Sequence, residues 1–182
     1  VPGQPLDLLE LAVERNPGSA QAHLALGIFL EEAGGSSTAA EQAREEYMKA
    51  LACDLSDVEV RLLLASRLMR VGELERAEEQ LAHAAEAEPR SLALWETWAA
   101  LVATKGSALE ASGVAQRGLT ALGPEAFPFL ETAADLFLYG GDEPQAEACL
   151  KRIEQLDPLS AAIPAFRGKL ADRRGNPREA IR

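Results

Sequence analysis

Residues 58–91 read VEVRLLLASRLMRVGELERAEEQLAHAAEAEPRS. Apolar residues recur at three- and four-residue spacing before Gly72 and again between Leu74 and Pro89, which is the pattern of two amphipathic helices. Gly72 suits the position after the first helix, because glycine adopts the left-handed backbone conformation that often ends a helix. Pro89 ends the second helix, since the residue before a proline disfavours helical geometry. The segment therefore predicts one helix pair, with Ser91 as the N-cap of the next helix.

The same punctuation recurs with a period of 34 or 35 residues. One series consists of Gly72, Gly106, Gly140 and Gly175, and a second consists of Ala77, Ala111, Ala146 and Ala180. Two residue types that share a period indicate internal repeats of one helix pair each. Further helix starts are predicted at Thr38, where Glu41 completes a capping box, at Asp142, and at Asn176. No stretch shows the alternation typical of a strand.

The repeat resembles the tetratricopeptide repeat, whose unit reads W-x-x-L-G-x-x-Y followed by A-x-x-x-F, A and P. In residues 58–91 the resemblance is carried by Leu64, Ala65, Leu68, Gly72, Ala77, Leu81, Ala84 and Pro89. In residues 92–125 it is carried by Trp95, Trp98, Ala99, Val102, Gly106, Ala111, Ala115 and Gly118. In residues 126–160 it is carried by Phe129, Thr132, Ala133, Leu136, Gly140, Ala146, Leu150 and Pro158. The resemblance implies an all-α fold, a right-handed superhelical α-solenoid of antiparallel helix pairs.

A single array over residues 1–182 is predicted from this alignment. Its full repeats are 20–57, 58–91, 92–125 and 126–160, flanked by a partial repeat 1–19 that holds a second helix only and by a partial repeat 161–182. About four extra residues, Gly34 to Ser37, predict a longer turn in the first full repeat. Because both ends cut through a repeat, we expect the chain to be a fragment of a longer protein. Its Ala, Leu, Glu and Arg content is typical of a GC-rich bacterium.

The composition argues against several classes of function. A net charge of −11 opposes binding to nucleic acid or to an anionic membrane surface. No apolar run is long enough for a membrane span, so direct membrane insertion by this segment is not expected. His23 and His83 stand about sixty residues apart, and Cys53 and Cys149 show no metal-ligand spacing. The sequence therefore predicts no metal, no cofactor and no enzymatic activity.

The remaining polar and aromatic residues have structural interpretations. Both cysteines are expected to be small buried residues in helix interiors. Trp95 and Trp98 are expected in the core, and His23 at a position between packed helices. Acid pairs such as Glu45-Glu46 are expected on solvated helix faces.

The resemblance implies that the first helix of each repeat lines a concave groove. The predicted groove residues are Leu24, Ile28, Leu62, Ser66, Met69, Glu96, Ala100, Phe127, Leu130 and Phe137. Relatives that bind acidic chaperone tails use a clamp of Lys, Arg and Asn, which is nearly absent here until Lys169 and Arg173. A largely apolar lining favours an apolar or amphipathic helical segment as partner. The alternative is that Leu24, Leu62 and Leu130 only pack between neighbouring helices.

These observations predict a non-catalytic protein–protein interaction scaffold in a multi-protein assembly. Family-level analogy points to bacterial envelope, pilus or exopolysaccharide export machinery. Two alternatives stay open: a self-associating module that forms a homo-oligomer through its incomplete ends, and regulatory repeats of an enzyme elsewhere in a longer chain. Unpaired cysteines favour a cytoplasmic location, and a periplasmic one stays open if a signal or anchor was removed.

Overall fold

The computed structural model describes residues 5–33, 37–53 and 57–174, and within these ranges it contains ten α-helices, one 3₁₀ helix and no strand. The helices are α1 Pro5–Arg15, α2 Ala20–Ala33, α3 Ser37–Leu51, α4 Val58–Arg70, α5 Leu74–Ala87, α6 Leu92–Lys105, α7 Ala108–Leu122, the 3₁₀ helix Gly123–Phe129, α8 Leu130–Gly140, α9 Glu143–Leu156 and α10 Ala162–Arg173. The predicted all-α fold of helix pairs is confirmed.

The described residues fall into two compact units, within Val1–Glu88 and within Pro89–Arg182. In the first unit α2 packs on α3 and α4 packs on α5. In the second unit α6 packs on α7, α7 on α8, and α8 on α9. Neighbours along the chain are thus neighbours in space, as in a stack of helix pairs. The division of the chain into one array with the repeat boundaries given above stays a prediction.

Local chemistry sets several helix ends as the sequence predicts. The hydroxyl of Ser91 accepts a hydrogen bond from the backbone amide of Leu94 at 3.3 Å, which caps α6. Gly72 follows α4 in a left-handed conformation with φ of +82°. Asp142 caps α9 by accepting from the amide of Gln145. These contacts satisfy backbone groups that a helix end otherwise leaves without a partner.

Other predicted ends need correction or lie outside the described residues. Thr38 is not an N-cap, because α3 already begins at Ser37 and includes it. The predicted long turn after Ala33 falls on residues 34–36, outside the described ranges, and so do the predicted helix start at Asn176 and the repeat positions Gly175 and Ala180.

The end of α8 shows that the sequence alignment of this repeat is wrong by one residue. The left-handed glycine is Gly141, with φ of +83°, and it lies 35 residues after Gly106, whose φ is +67°. Gly140 is instead the last residue of α8, where a Cβ atom would lie 3.1 Å from the carbonyl oxygen of Ala108. The extra residue therefore precedes α8. Phe137, and not Leu136, corresponds to Val102.

The extra residue is accommodated by the 3₁₀ helix, which is anchored by Phe129. Phe129 is fully buried, and it packs where Gly118 of α7 leaves room: a Cβ atom on Gly118 would lie 2.5 Å from the Phe129 ring. Trp95 is buried beside it and donates its indole N–H to the carbonyl of Pro89 at 2.8 Å. Trp95 stacks on Trp98 with the ring centroids 5.6 Å apart, and the burial of both side chains confirms that the two tryptophans belong to the core.

The two cysteines differ in environment. Cys149 is buried inside α9, as predicted, whereas Cys53 follows α3 and is half-buried, so its predicted place in a helix interior is wrong. Burial raises the pKa of the Cys149 thiol to about 11. The thiolate is the reactive form of cysteine. Cys149 is therefore protected from alkylation because reagents do not reach it and because its thiol stays protonated.

We expect iodoacetamide to alkylate Cys53 of the native protein at least about tenfold faster than Cys149, because only Cys53 is partly open to solvent. Mass spectrometry of the digested protein after timed labelling measures both rates. Labelling in guanidinium chloride is the control and should make the rates similar. Equal rates in the native protein would contradict the burial of Cys149.

Candidate functional site

A groove of about 640 Å³ lies between α6 and α8 in the second unit. It is lined by Glu96, Ala99, Ala100, Ala103, Glu131, Thr132, Asp135, Leu136 and Tyr139. We call it the α6–α8 groove. The lining residues recur every three or four positions, because that spacing places side chains on one face of a helix. Both helices are the first members of their pairs, α6 with α7 and α8 with α9.

Alanine keeps the groove open. Ala99, Ala100 and Ala103 form the α6 wall, and a methyl group reaches little beyond the helix backbone. Across from them, Leu136 is buried and supplies an apolar base. Concave sites with apolar walls and a few polar groups are the usual form of binding sites. The α6–α8 groove has the shape to receive larger side chains from a ligand.

The polar groups of the groove are acidic or neutral. Glu96 and Glu131 are exposed, and no basic side chain pairs with either of them in the part of the chain that the structure describes. Lys169 of α10 donates a hydrogen bond to Asp135 and forms an ion pair with it. Tyr139 stands at the far end with 44% of its surface exposed. The groove therefore combines an apolar base with two unpaired carboxylates at its rim.

The predicted site residues of the second unit divide into two groups. Glu96 and Ala100 line the α6–α8 groove. Leu130 and Phe137 are buried in the core, with 2% and 1% of their surface exposed, and neither lines the groove. Phe127 is exposed but lies on the 3₁₀ helix, away from this lining. The three residues therefore do not share one groove. Leu130 and Phe137 turn into the core because α8 is shifted by one residue relative to the sequence alignment, and Phe127 precedes α8.

That shift also explains which α8 residues the sequence missed. Glu131 stands 35 residues after Glu96, the same interval that separates the left-handed glycines Gly106 and Gly141. Glu131 is therefore the counterpart of Glu96 on the next helix pair, and Asp135 is the counterpart of Ala100. Aligning α8 with α6 at an interval of 35 residues would have identified both. From the sequence alone, however, either Gly140 or Gly141 could correspond to Gly106.

The predicted site residues of the first unit are less accessible. Leu24 and Leu62 are buried, as the packing alternative expects. Ile28, Ser66 and Met69 are half-buried. The hydroxyl of Ser66 donates to the carbonyl of Leu63 at 2.7 Å, so it is already satisfied within α4. A partner-binding role for these five residues stays a prediction.

A buried ionic cluster in the first unit was missed by the sequence interpretation. His23 and Glu46 are both buried, and His23 Nδ1 lies 2.7 Å from Glu46 Oε2. The other ring nitrogen, Nε2, lies 3.0 Å from the carbonyl oxygen of Pro17. Both ring nitrogens are thus within hydrogen-bond distance of an oxygen atom, one on α3 and one in the turn before α2. Glu46 is thus not on a solvated face, contrary to the prediction.

The pKa of Glu46 reflects two opposing effects. Burial disfavours the charged carboxylate and by itself raises its pKa. Hydrogen bonds from His23 and from Lys49, whose Nζ lies 2.6 Å from Glu46 Oε1, outweigh burial and hold the pKa of Glu46 below its usual range. The cluster ties the turn at Pro17 to α2 and α3 and serves the structure of this unit.

Residues 5–33, 37–53 and 57–174 were searched for metal sites and for membrane-spanning helices. No group of three or more His, Cys, Asp or Glu side chains there could hold a metal ion. Within the same ranges, every helix is too short or too polar to span a bilayer.

Two solved structures resemble this chain. One is described as the functional characterization of Pseudomonas aeruginosa pilF; it has a TM-score of 0.61 and 23% identity, with 95% of this chain and 77% of that chain covered. The other is a tetratricopeptide repeat protein from Parabacteroides merdae, with a TM-score of 0.57, 16% identity, and 96% and 66% of the two chains covered. This chain has the tetratricopeptide-repeat fold. The α6–α8 groove lies between the first helices of two successive helix pairs.

No protein-family model matches the sequence. No curated protein matches it either. The tetratricopeptide-repeat fold is therefore established by the helix pairs, the helix caps and the two structural neighbours.

Proposed function

We propose that this chain is a non-catalytic scaffold that binds a segment of another protein in the α6–α8 groove. The observation that carries the proposal is the open groove itself, with alanines along one wall and the buried Leu136 at its base. Tetratricopeptide-repeat neighbours support a protein-interaction role over a catalytic one. The assembly in which this scaffold acts, envelope machinery or another complex, stays a prediction.

The two parallel helix surfaces that line the groove favour a helical segment as occupant. Two helix surfaces with side chains every three or four residues form ridges between which a third helix can lie. An amphipathic helix would place large apolar side chains, spaced at i, i+3, i+4 and i+7, over the alanine wall. Apolar surface would then be removed from water on both sides, which is the main favourable contribution to such binding.

Ala100→Trp tests this proposal, because the indole would occupy the groove from an exposed position without disturbing the core. The probe is a fluorescent synthetic helix of about four turns with a leucine stripe and glutamines elsewhere. We expect saturable binding to the native protein and at least about a tenfold higher Kd for Ala100→Trp, measured by fluorescence anisotropy.

Ala82→Trp is the matched control, since Ala82 is also an exposed alanine of a helix, α5, but lies outside the groove. Its Kd should stay within about twofold of the native value. Equal affinity of the native protein and Ala100→Trp would overturn the groove as the binding surface.

Self-association is a second candidate role. On α1, Leu8 and Leu11 leave 59% and 39% of their surface exposed, and none of the residues of this helix is buried. An interface between copies of the chain would cover these apolar side chains. Regulation of an enzyme elsewhere in a longer chain stays a prediction without a specific observation in its favour.

A further inference from the structure

We infer that the segment bound in the α6–α8 groove is a basic amphipathic helix, with apolar side chains on the alanine wall and Lys or Arg at Glu96 and Glu131; the inference rests on the proposed function. Glu96 and Glu131 occupy equivalent positions on neighbouring first helices and face the same groove. Two carboxylates are therefore presented to one ligand from both sides.

Charge complementarity is the first reason. None of the described residues that line the groove is basic. Nearby cations are engaged elsewhere in the second unit: Lys105 lies 3.1 Å from Glu110, and the guanidinium of Arg117 stacks 4.4 Å above the ring of Trp98. Lys169 pairs with Asp135, which reduces the acidic character of that position. No basic side chain among the described lining residues therefore neutralises the negative charges of Glu96 and Glu131.

The apolar base of the groove lets the two carboxylates discriminate between basic and acidic ligands. A ligand that covers Leu136 and the alanines displaces water from around the two carboxylates. A basic ligand replaces the lost hydration with ion pairs, whereas an acidic ligand adds like-charge repulsion at the moment of desolvation. Specificity therefore comes from repulsion of acidic helices as well as from attraction of basic ones.

The groove is also asymmetric along its length. Glu131 and Tyr139 are eight residues apart on α8, which corresponds to about 12 Å along a helix. The two carboxylates lie in the N-terminal half of their helices, and Ala103, Leu136 and Tyr139 lie in the C-terminal half. A complementary helix carries its basic side chains near one end and its largest apolar side chains about two turns away.

The experiment compares three fluorescent synthetic helices that share one leucine stripe and differ only in one terminal turn, which carries Lys, Gln or Glu. An exposed ion pair changes affinity by a factor of about two to five. Because attraction at two positions replaces repulsion, we expect the Lys helix to bind the native protein at least about tenfold more tightly than the Glu helix. This preference should shrink as salt is added.

Glu96→Lys with Glu131→Lys should reverse the preference, so that the Glu helix binds more tightly than the Lys helix. Glu75→Lys with Glu79→Lys is the control: these exposed carboxylates of α5 lie outside the groove, and the change in net charge is the same. The control should keep the native preference. An equal loss of preference in the control would show that net charge, not the groove, selects the ligand.

The outcomes separate this inference from the proposed function. If the three helices bind equally and Ala100→Trp weakens all of them, the groove binds helices but does not select basic ones, and the inference is overturned alone. If none of the three helices binds, both are overturned. Selective binding of the Lys helix, lost in the Glu96 and Glu131 double variant and kept in the control, supports both.

Discussion

Phe129→Ala lowers the free energy of unfolding of the second unit by about 3–5 kcal/mol, whereas Phe127→Ala changes it by less than about 1 kcal/mol. The two rings are two residues apart in the same 3₁₀ helix, but Phe129 is fully buried and 43% of Phe127 is exposed. Removing the Phe129 ring leaves a cavity against Gly118 and Trp95, because glycine has no side chain with which to fill it.

Urea unfolding followed by tryptophan fluorescence measures this difference directly. The chain has two tryptophans, Trp95 and Trp98, and both are buried in the second unit. The signal therefore reports the unit that contains Phe129. Similar losses for Phe129→Ala and Phe127→Ala would contradict the described anchoring of the 3₁₀ helix and, with it, the register of α8.

His23→Ala lowers the stability of the first unit by about 3 kcal/mol, at the low end of the cost of breaking a buried ion pair. The variant leaves Glu46 buried without its His23 partner, and among the described residues Lys49 alone still pairs with it. The carbonyl of Pro17 also loses its donor from His23. Both losses weaken the packing of α3 against the turn that precedes α2.

Native-state hydrogen exchange of amides in α2 and α3 measures this effect, since protection there reports the opening of the first unit. His83→Ala is the control, because the His83 side chain is exposed on α5 and Glu86, which lies 4.0 Å from it, is also exposed. It should change stability by less than about 0.5 kcal/mol. Comparable losses of protection in both variants would show that the buried pair contributes nothing specific.

The helix pairs and several of their ends were predictable from sequence because the interactions that set them are local. Gly72 follows α4 with a positive φ, and Ser91 caps α6 through an amide three residues away. The period of the apolar residues predicted where each helix buries its side chains, and Trp95 and Trp98 are in the core as expected. These signals need no knowledge of distant contacts.

The register of α8 and the groove residues depended on contacts between helices. Gly140 and Gly141 are equally able to end a helix in isolation, and only the close approach of α7 makes Gly140 helical and leaves Gly141 left-handed. That one-residue difference moves Phe137 into the core and Glu131 to the rim of the groove. Repeat periodicity alone does not choose between the two, because both intervals are compatible with a helix pair.

The burial of Glu46 has the same kind of cause. Arg44, Glu45 and Lys49 lie close to it along α3 and are exposed, and such a run of charged residues in a sequence indicates a solvated helix face. Its partner His23 is 23 residues away on α2, and the ion pair forms only when the two helices pack. Sequence therefore determined the helix pairs through local periodicity and capping, whereas packing between helices determined the groove and the ionic cluster, because both are built from residues that meet only in the folded chain.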